Sequence, residues 1–339
     1  KYTEKQVFHE KLTQDQAQSF LCNALQEHFR QYNGWDTSRE YQIRISAKGR
    51  VLCSRKAIPN QAPRAVQSHN RKKRYLLEEG MVIQPLVDLG IFTKEGKVIH
   101  AMYDKYKQIN RFLEMVDDVS DNLPRQRPLR VIDFGCGKSY LTFILYYYLT
   151  VIKKREVQMV GLDLKADVIE KCNQTARKYG YDGLHFELGD INGYQLAGEV
   201  DLVITLHACD TATDYALFNA VSWGARVILS VPCCQHELNG QIQSEQFSIL
   251  TRYGIVKERA ASLMTDAIRA NLLECCGYKT QLLEFIDLAH TPKNILIRAV
   301  KRAPSQRAPA GVLEETESLM EEFLLHPTLY RLLKEAGRI

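Results

Sequence analysis

Between residues 130 and 300 the chain alternates short apolar runs with longer amphipathic ones. Arg130-Val131-Ile132, Val157–Leu162, His185–Gly189, Asp201–Leu206 and Arg226–Val231 are apolar and β-branched enough to be buried parallel strands. Helical stretches lie between them, among them Ser139–Tyr146 and the segment opening at Asp167. That alternation predicts an α/β fold with a parallel sheet. Two further runs, Lys279–Ile286 and Asn294–Val300, are separated only by Asp287–Lys293. A helical crossover does not fit in so short a loop, so the last strand is expected to be antiparallel. Its hairpin would carry His290 and Lys293 to the active face.

Outside this region the periods change. Residues 11–32 carry Leu12, Ala17, Phe20, Leu21, Leu25 and Phe29 at helical spacing, and residues 100–116 predict a second helix leading into the first strand. Tyr41–Ser46 and Arg50–Arg55 alternate with period two and are joined by Ala47-Lys48-Gly49, which predicts a hairpin. After a linker at Ala303–Pro309, residues 312–336 predict a packed helical tail. The expected organisation is an N-terminal α+β domain over 1–99, an α/β domain over 100–301, and a linker with a helical tail over 302–339.

Charge singles out the first of these. Residues 1–100 hold 17 Lys and Arg against 10 Asp and Glu, while the whole chain has a net charge of only +5. Over residues 36–75 the tally is 11 basic to 2 acidic. Arg44, Lys48, Arg50, Arg55 and Lys56 decorate the hairpin, and Arg71, Lys72, Lys73 and Arg74 form a second cluster. So local an excess suggests a platform for a phosphate backbone. No apolar run approaches a membrane span, and Lys1–Lys5 is no signal-peptide core. The nine cysteines are an odd number without any Cys-x-x-Cys, the usage of a reducing compartment, so a cytoplasmic protein without a disulfide framework is expected.

The candidate chemistry starts at Asp133-Phe134-Gly135-Cys136-Gly137, where the first strand turns into a helix. A P-loop would need glycine at 132, which is Ile132, and a dinucleotide fingerprint would need glycine at 140, which is Tyr140. The remaining pattern, Asp-x-Gly-x-Gly, is followed by acids at two more strand tips, Asp163 and Asp190. An acid after the second strand is placed for ribose hydroxyls; Asp190 and Ile191 are placed for an adenine amine and ring. His207-Ala208-Cys209-Asp210-Thr211-Ala212-Thr213-Asp214 follows the fourth strand, and Pro232-Cys233-Cys234-Gln235-His236 the fifth. Ligands of open α/β sheets bind at such strand ends.

Asp133-x-Gly135-x-Gly137, Asp163 and Asp190 together resemble the class I S-adenosylmethionine-dependent methyltransferases over about residues 100–300. The resemblance implies a Rossmann-like seven-stranded sheet with its last strand reversed. It also implies S-adenosylmethionine as cofactor, bound by Asp133, Gly135, Gly137, Asp163, Asp190, Ile191 and Leu206. His207-x-Cys209-x-x-Ala212-Thr213-Asp214 and Cys233-Cys234-x-His236 are similar to motifs of the eukaryotic tRNA 2′-O-ribose methyltransferases. Two departures stand out. The family's glycine is Asp210 here, and the zinc-finger-like segments of those enzymes are absent from residues 1–100. The implied substrate is RNA, a tRNA or rRNA.

Several chemistries stay open. A ribose hydroxyl needs a base or a cationic neighbour, which His207, Asp210 and Lys293 offer. Cytosine C5 needs a thiolate, which Cys233 or Cys234 offers. The cysteines and histidines of the two motifs also suit zinc, yet their spacing is irregular, and no metal is expected. A protein that binds the cofactor and RNA without turnover is the reading from another class. The oligomeric state is not legible.

Overall fold

In a computed structural model of the protein, the described residues are 9–36, 38–46, 48–57, 74–137, 140–194, 198–206, 208–285, 295–303, 305–306 and 310–339. His207, His290 and Lys293 lie outside them, as do Arg71, Lys72 and Lys73. The chain separates into two compact units, Lys1–Lys73 and Arg74–Ile339.

The first unit contains α1 (Gln14–Glu27) and the strands β1 (Gln31–Trp35), β2 (Arg39–Ile45) and β3 (Val51–Ala57). A capping box starts α1: Gln16 N–H donates to the Thr13 hydroxyl and Thr13 N–H to the Gln16 side chain. The expected hairpin is β2–β3, paired from Ile45↔Val51 to Arg39↔Ala57. The helix expected over 11–32 stops at Glu27, however, and Gln31–Trp35 becomes a third antiparallel strand. Two aromatics and a glycine in those five residues are poor helix formers, and pairing with β2 satisfies their backbone.

Register then assigns faces, because directly opposed residues share one. Arg44 stands between Gln31 and Leu52, and Lys56 is opposite Glu40, which faces Trp35. Arg55, opposite Tyr41, is on the other face. Gln31, Asn33 and Trp35 are exposed while Gly34 between them is buried, so the face of Arg44 and Lys56 is the solvent face. The basic residues of the hairpin are thus divided between two faces.

The second unit begins well before residue 100. Leu77, Ile83, Leu86, Ile91 and Phe92 are buried in the same core as the sheet, around α2 (Gln84–Asp88). They are strapped to α3 (Tyr103–Asp117): Leu77 N–H donates to Asn110 Oδ1 at 2.9 Å, and the Tyr106 hydroxyl donates to Leu77 O at 2.6 Å. Residues 74–99 therefore pack with the α/β unit, although the charge pattern groups them with the N-terminal segment.

The sheet follows as β4 (Leu129–Phe134), α4 (Tyr140–Tyr147), β5 (Val157–Asp163), α5 (Ala166–Tyr179), β6 (Leu184–Leu188) and β7 (Leu202–Thr205). It continues with α6 (Thr211–Ser222), β8 (Val227–Ser230), α7 (His236–Gln241), α8 (Ser248–Thr251), α9 (Gly254–Cys275), β9 (Tyr278–Glu284) and β10 (Ile295–Lys301). Strand order is β6-β5-β4-β7-β8-β10-β9, with β10 antiparallel to both neighbours. Seven strands with a reversed last one are the expected architecture. The chain starts at the centre with β4, runs outward through β5 and β6, then returns to β7, so the switch point lies between β4 and β7.

Each face carries its own core, one with α3, α4 and α5, the other with α6, α9 and the C-terminal helices. The expected helical tail is two helices, α10 (Val312–Glu322) and α11 (Thr328–Glu335). Pro327, the N-cap of α11, lacks the N–H that a continuous helix needs there. Leu329 and Leu333 of α11 are fully buried.

Candidate active site

The turn after β4 is held by the strand beside it. Gly135 and Cys136 N–H both donate to Leu162 O, at 2.9 and 3.1 Å. Gly135 and Gly137 have φ of 65° and 53°, which side-chain-bearing residues adopt at a cost. Gly137 N–H donates to Asp163 Oδ2 at 2.9 Å, and Lys165 N–H donates to Asp163 Oδ1 at 3.0 Å. The glycine loop and the acid of β5 therefore meet, 26 positions apart in sequence. Asp163 is half-buried, so its carboxylate keeps acceptor capacity on the open side. Asp190 is exposed just beyond β6, with Oδ1 accepting Asn192 N–H, while Ile191 packs on the core and Leu206 is buried at the tip of β7.

Asp133 behaves differently. Its side chain is turned into the core, where Oδ2 accepts a 2.5 Å hydrogen bond from the Thr142 hydroxyl of α4. Burial, opposed by that bond and reinforced by the nearby Asp163 charge, lifts its pKa to about 7. Asp133 is thus a positioning residue that ties β4 to α4 across the glycine turn. A pH dependence follows. Below about pH 4 the carboxyl is protonated whether folded or unfolded. As pH rises the unfolded chain ionises first, while the folded protein holds the proton up to about 7, so stability falls across that window and then levels. Asp133→Asn can still accept from Thr142 and should flatten the fall by roughly 2–4 kcal/mol between pH 4 and 7. Denaturant unfolding at several pH values measures it; parallel curves for the two proteins would show Asp133 ionised in the fold.

Across the switch point, the loop after β7 makes a tight turn. Ala212 N–H donates to Cys209 O, and Asp210 at the turn's second position has φ 54° and ψ −123°. This is the geometry of a type II′ turn, where glycine is the comfortable residue, and it accounts for the glycine in the resembling motif. The remaining motif residues have structural partners. The Thr213 hydroxyl donates to Ala208 O at 2.7 Å, and Asp214 takes Nε and Nη2 of Arg269 at 3.0 and 2.8 Å.

Arg269, on α9, is 2% exposed. It also donates to Asp210 O at 2.9 Å and contacts Asp266 at 3.4 Å. Asp266 in turn accepts from Gln235 Nε2 at 3.4 Å in the loop after β8, and burial, partly offset by Arg269, raises its pKa to about 6. One buried cation thereby braces both active-face loops. No sequence motif marks Arg269; its only signal is a charge among the apolar positions of a long helix.

The two loops also bond directly, since Glu237 N–H at the start of α7 donates to Asp210 Oδ1 at 3.1 Å. Glu237 itself, its pKa raised by burial, accepts the Thr328 hydroxyl and N–H of α11 at 2.6 and 3.1 Å. The tail, to which the sequence attaches no chemistry, is therefore part of the scaffold. Cys233 lies 3.1 Å from Cys209 and 3.8 Å from Cys234, sulfur to sulfur, and its pKa is pushed up to about 12 by burial and by those two thiols. A nucleophilic cysteine needs the opposite shift.

Residues 104–241 match the sequence model of a family described as "Methyltransferase domain". The matched stretch runs from α3 to α7 and contains the glycine turn. No curated protein matches it. Among solved structures it is similar to coclaurine N-methyltransferase bound to N-methylheliamine and SAH, at 15% identity over 36% of this chain and 35% of that one, TM-score 0.27. It is also similar to the 23S rRNA methyltransferase ErmE, at 12% identity over 60% and 74%, TM-score 0.36. A third is the citrinin polyketide synthase CMeT domain, at 15% identity over 64% and 56%, TM-score 0.38. The chain thus spans less than two thirds of two of these three. At such scores none bears on what the methyltransferase domain acts upon.

The domain's own residues fit S-adenosylmethionine. The two positive-φ glycines put no side chain of their own into the turn, Asp163 presents a half-buried carboxylate beside it, and Ile191 and Leu206 supply apolar surface at neighbouring tips. Among the described residues no helix is long and apolar enough to cross a membrane.

Proposed function

We propose that the protein is an S-adenosylmethionine-dependent methyltransferase acting on RNA, a tRNA or an rRNA. The observation that carries the cofactor reading is the Asp163 carboxylate bonded to the Gly137 N–H, at the tips of β5 and β4 beside the sheet's switch point. When bound, the cofactor supplies an electrophilic methyl group. The protein's own work is then to hold, orient and exclude water. Gly135 and Gly137 give the cofactor close access to backbone, Asp163 accepts from ribose hydroxyls, and Asp190 and Ile191 serve the adenine. Asp133 holds the turn from behind. The acceptor is oriented by Asp210, with His207 and Lys293 as further candidates that lie outside the described residues. Burial beside two other thiols raises the pKa of Cys233 and argues against that thiol as the nucleophile cytosine C5 needs.

RNA is supported by the solvent face of the N-terminal sheet. Trp35 is 62% exposed there, on the same face as Arg44, Lys56 and an amide ladder in which Gln31 and Gln42 both donate to Asn33 Oδ1. An exposed aromatic among cations suits stacking on an unpaired base with the phosphates held alongside. Lys48 and Arg50 are exposed at the hairpin turn, Arg55 is exposed on the opposite face, and Arg74, also exposed, opens the second unit.

The test is transfer of labelled methyl from S-adenosylmethionine to fractionated RNA by the full chain, followed by mass spectrometry of the nucleosides. Label should enter RNA and be lost in Asp163→Ala. Trp35→Ala and Arg44→Ala should weaken RNA retention with cofactor affinity unchanged. Losing the Arg44 phosphate contact should flatten the log–log salt slope by about 0.7–0.9. Label confined to protein or small molecules overturns the RNA assignment, and calorimetry without S-adenosylhomocysteine binding overturns the cofactor.

A further inference from the structure

We propose that Cys209, Cys233 and Cys234 form a zinc site at the tips of β7 and β8. The strands are parallel neighbours with Thr205 opposite Ser230, so their trailing loops rise side by side and bring together thiols that lie 24 and 25 positions apart. The sulfur separations are 3.1 Å for Cys209–Cys233, 3.8 Å for Cys233–Cys234 and 3.7 Å for Cys209–Cys234. A tetrahedral zinc ion with Zn–S bonds of about 2.3 Å holds its thiolates about 3.8 Å apart. Two of the three edges already have that length, and the third must open by about 0.7 Å.

The loops need little reorganisation to accept an ion. Cys209 O closes the tight turn onto Ala212, Arg269 holds Asp210 O next to it, and Asp210 Oδ1 bonds across to Glu237 beyond the second loop. Ordering is therefore largely complete before the metal arrives, which favours affinity. Three sulfurs are a soft donor set, suited to zinc and unsuited to magnesium, calcium or manganese. Among the described residues no histidine or carboxylate completes the set, and the exposure of Cys209 leaves a way in for the ion and a fourth ligand. Each thiol releases its proton to solvent on binding. The irregular sequence spacing hides such a site because its ligands come from two loops of one sheet edge. Zinc there locks the acceptor-side loops to each other.

Metal content tests this without reference to methyl transfer, so its failure and that of the RNA reading are separable. The full chain, purified under reducing conditions with zinc and without chelator, should retain about one zinc per chain through gel filtration. Cobalt in its place should give a thiolate-to-metal charge-transfer band. Cys209→Ser should weaken zinc binding at least tenfold while its circular dichroism matches the parent, and Cys53→Ser in the N-terminal unit should bind as the parent does. If Cys209→Ser misfolds, the cobalt spectrum of the parent and the thiols protected from a mercurial reagent decide. Nine freely titrating thiols with no bound metal, another metal at stoichiometry, or a Cys209–Cys233 disulfide that zinc does not prevent would overturn the assignment.

Discussion

Arg269→Met is expected to destabilise the protein by about 3–5 kcal/mol at neutral pH, although Arg269 sits at no strand tip and in no motif. The guanidinium is fully buried against Asp214 and Asp266, and removing it strands two carboxylates in a low-dielectric interior. Methionine fills most of the volume, so the loss reports charge rather than a cavity. The deficit should shrink toward pH 4, where the buried Asp266 carboxyl, left without its cation, takes up a proton. It should be largely recovered when Asp214 and Asp266 are also replaced by apolar residues of similar size, because a buried ion cluster is costly to break and inexpensive to replace whole. Urea unfolding of the single and triple variants checks both. A loss below about 1 kcal/mol, as for exposed pairs, would mean that water reaches the cluster. The triple variant should nevertheless lose activity, since Asp210 O then keeps only the Thr213 N–H and loses its brace to α9.

Arg269 also marks where sequence reasoning ends. The strands of the sheet were legible because each is a short apolar run ending in a polar tip, and a loop too short for a crossover reveals the reversal of β10. Asp163 and the glycines were legible because their types and order suffice, and β4–β5 pairing brings them together. Partners that meet only through packing leave no local trace. Arg269 reaches Asp214 across 55 positions, Thr328 reaches Glu237 across 91, and the three thiols come from two loops. Asp133 looked like a ligand contact from its place in the motif, yet the strand's alternation turns it inward to Thr142. At the N-terminus helical spacing continued past Glu27 into Gln31–Trp35, where pairing with β2 prevails over local period. The charge tally could count basic residues but not their faces, and strand register separates Arg44 from Arg55.

Asp210→Gly should leave the protein within about 2 kcal/mol of the parent's stability, while cutting methyl transfer by about 10²–10⁴-fold. The first half follows from the backbone. At φ 54° and ψ −123° a residue with a side chain stores roughly 1–3 kcal/mol that glycine does not. Against this stands the loss of one hydrogen bond to a carboxylate, from Glu237 N–H to Asp210 Oδ1, worth about 1.5–3 kcal/mol, so the two nearly cancel. The second half follows from chemistry. One carboxylate oxygen braces the neighbouring loop; the other makes no hydrogen bond among the described residues and is free to orient an acceptor at the half-buried tip of β7. Strain kept at such a position, where glycine would relieve it, is what a functional side chain at a structural cost looks like. On the proposed role the carboxylate serves the acceptor, so S-adenosylhomocysteine affinity should not change, and the deficit should appear in kcat rather than in cofactor KM. Asp210→Asn, which keeps the shape and the acceptor to Glu237 but loses the charge, should be nearly as inactive. Calorimetry, thermal melting and single-turnover transfer on one set of variants give all three readouts. Full activity in the glycine variant would reduce Asp210 to a loop brace and move acceptor orientation elsewhere on the face.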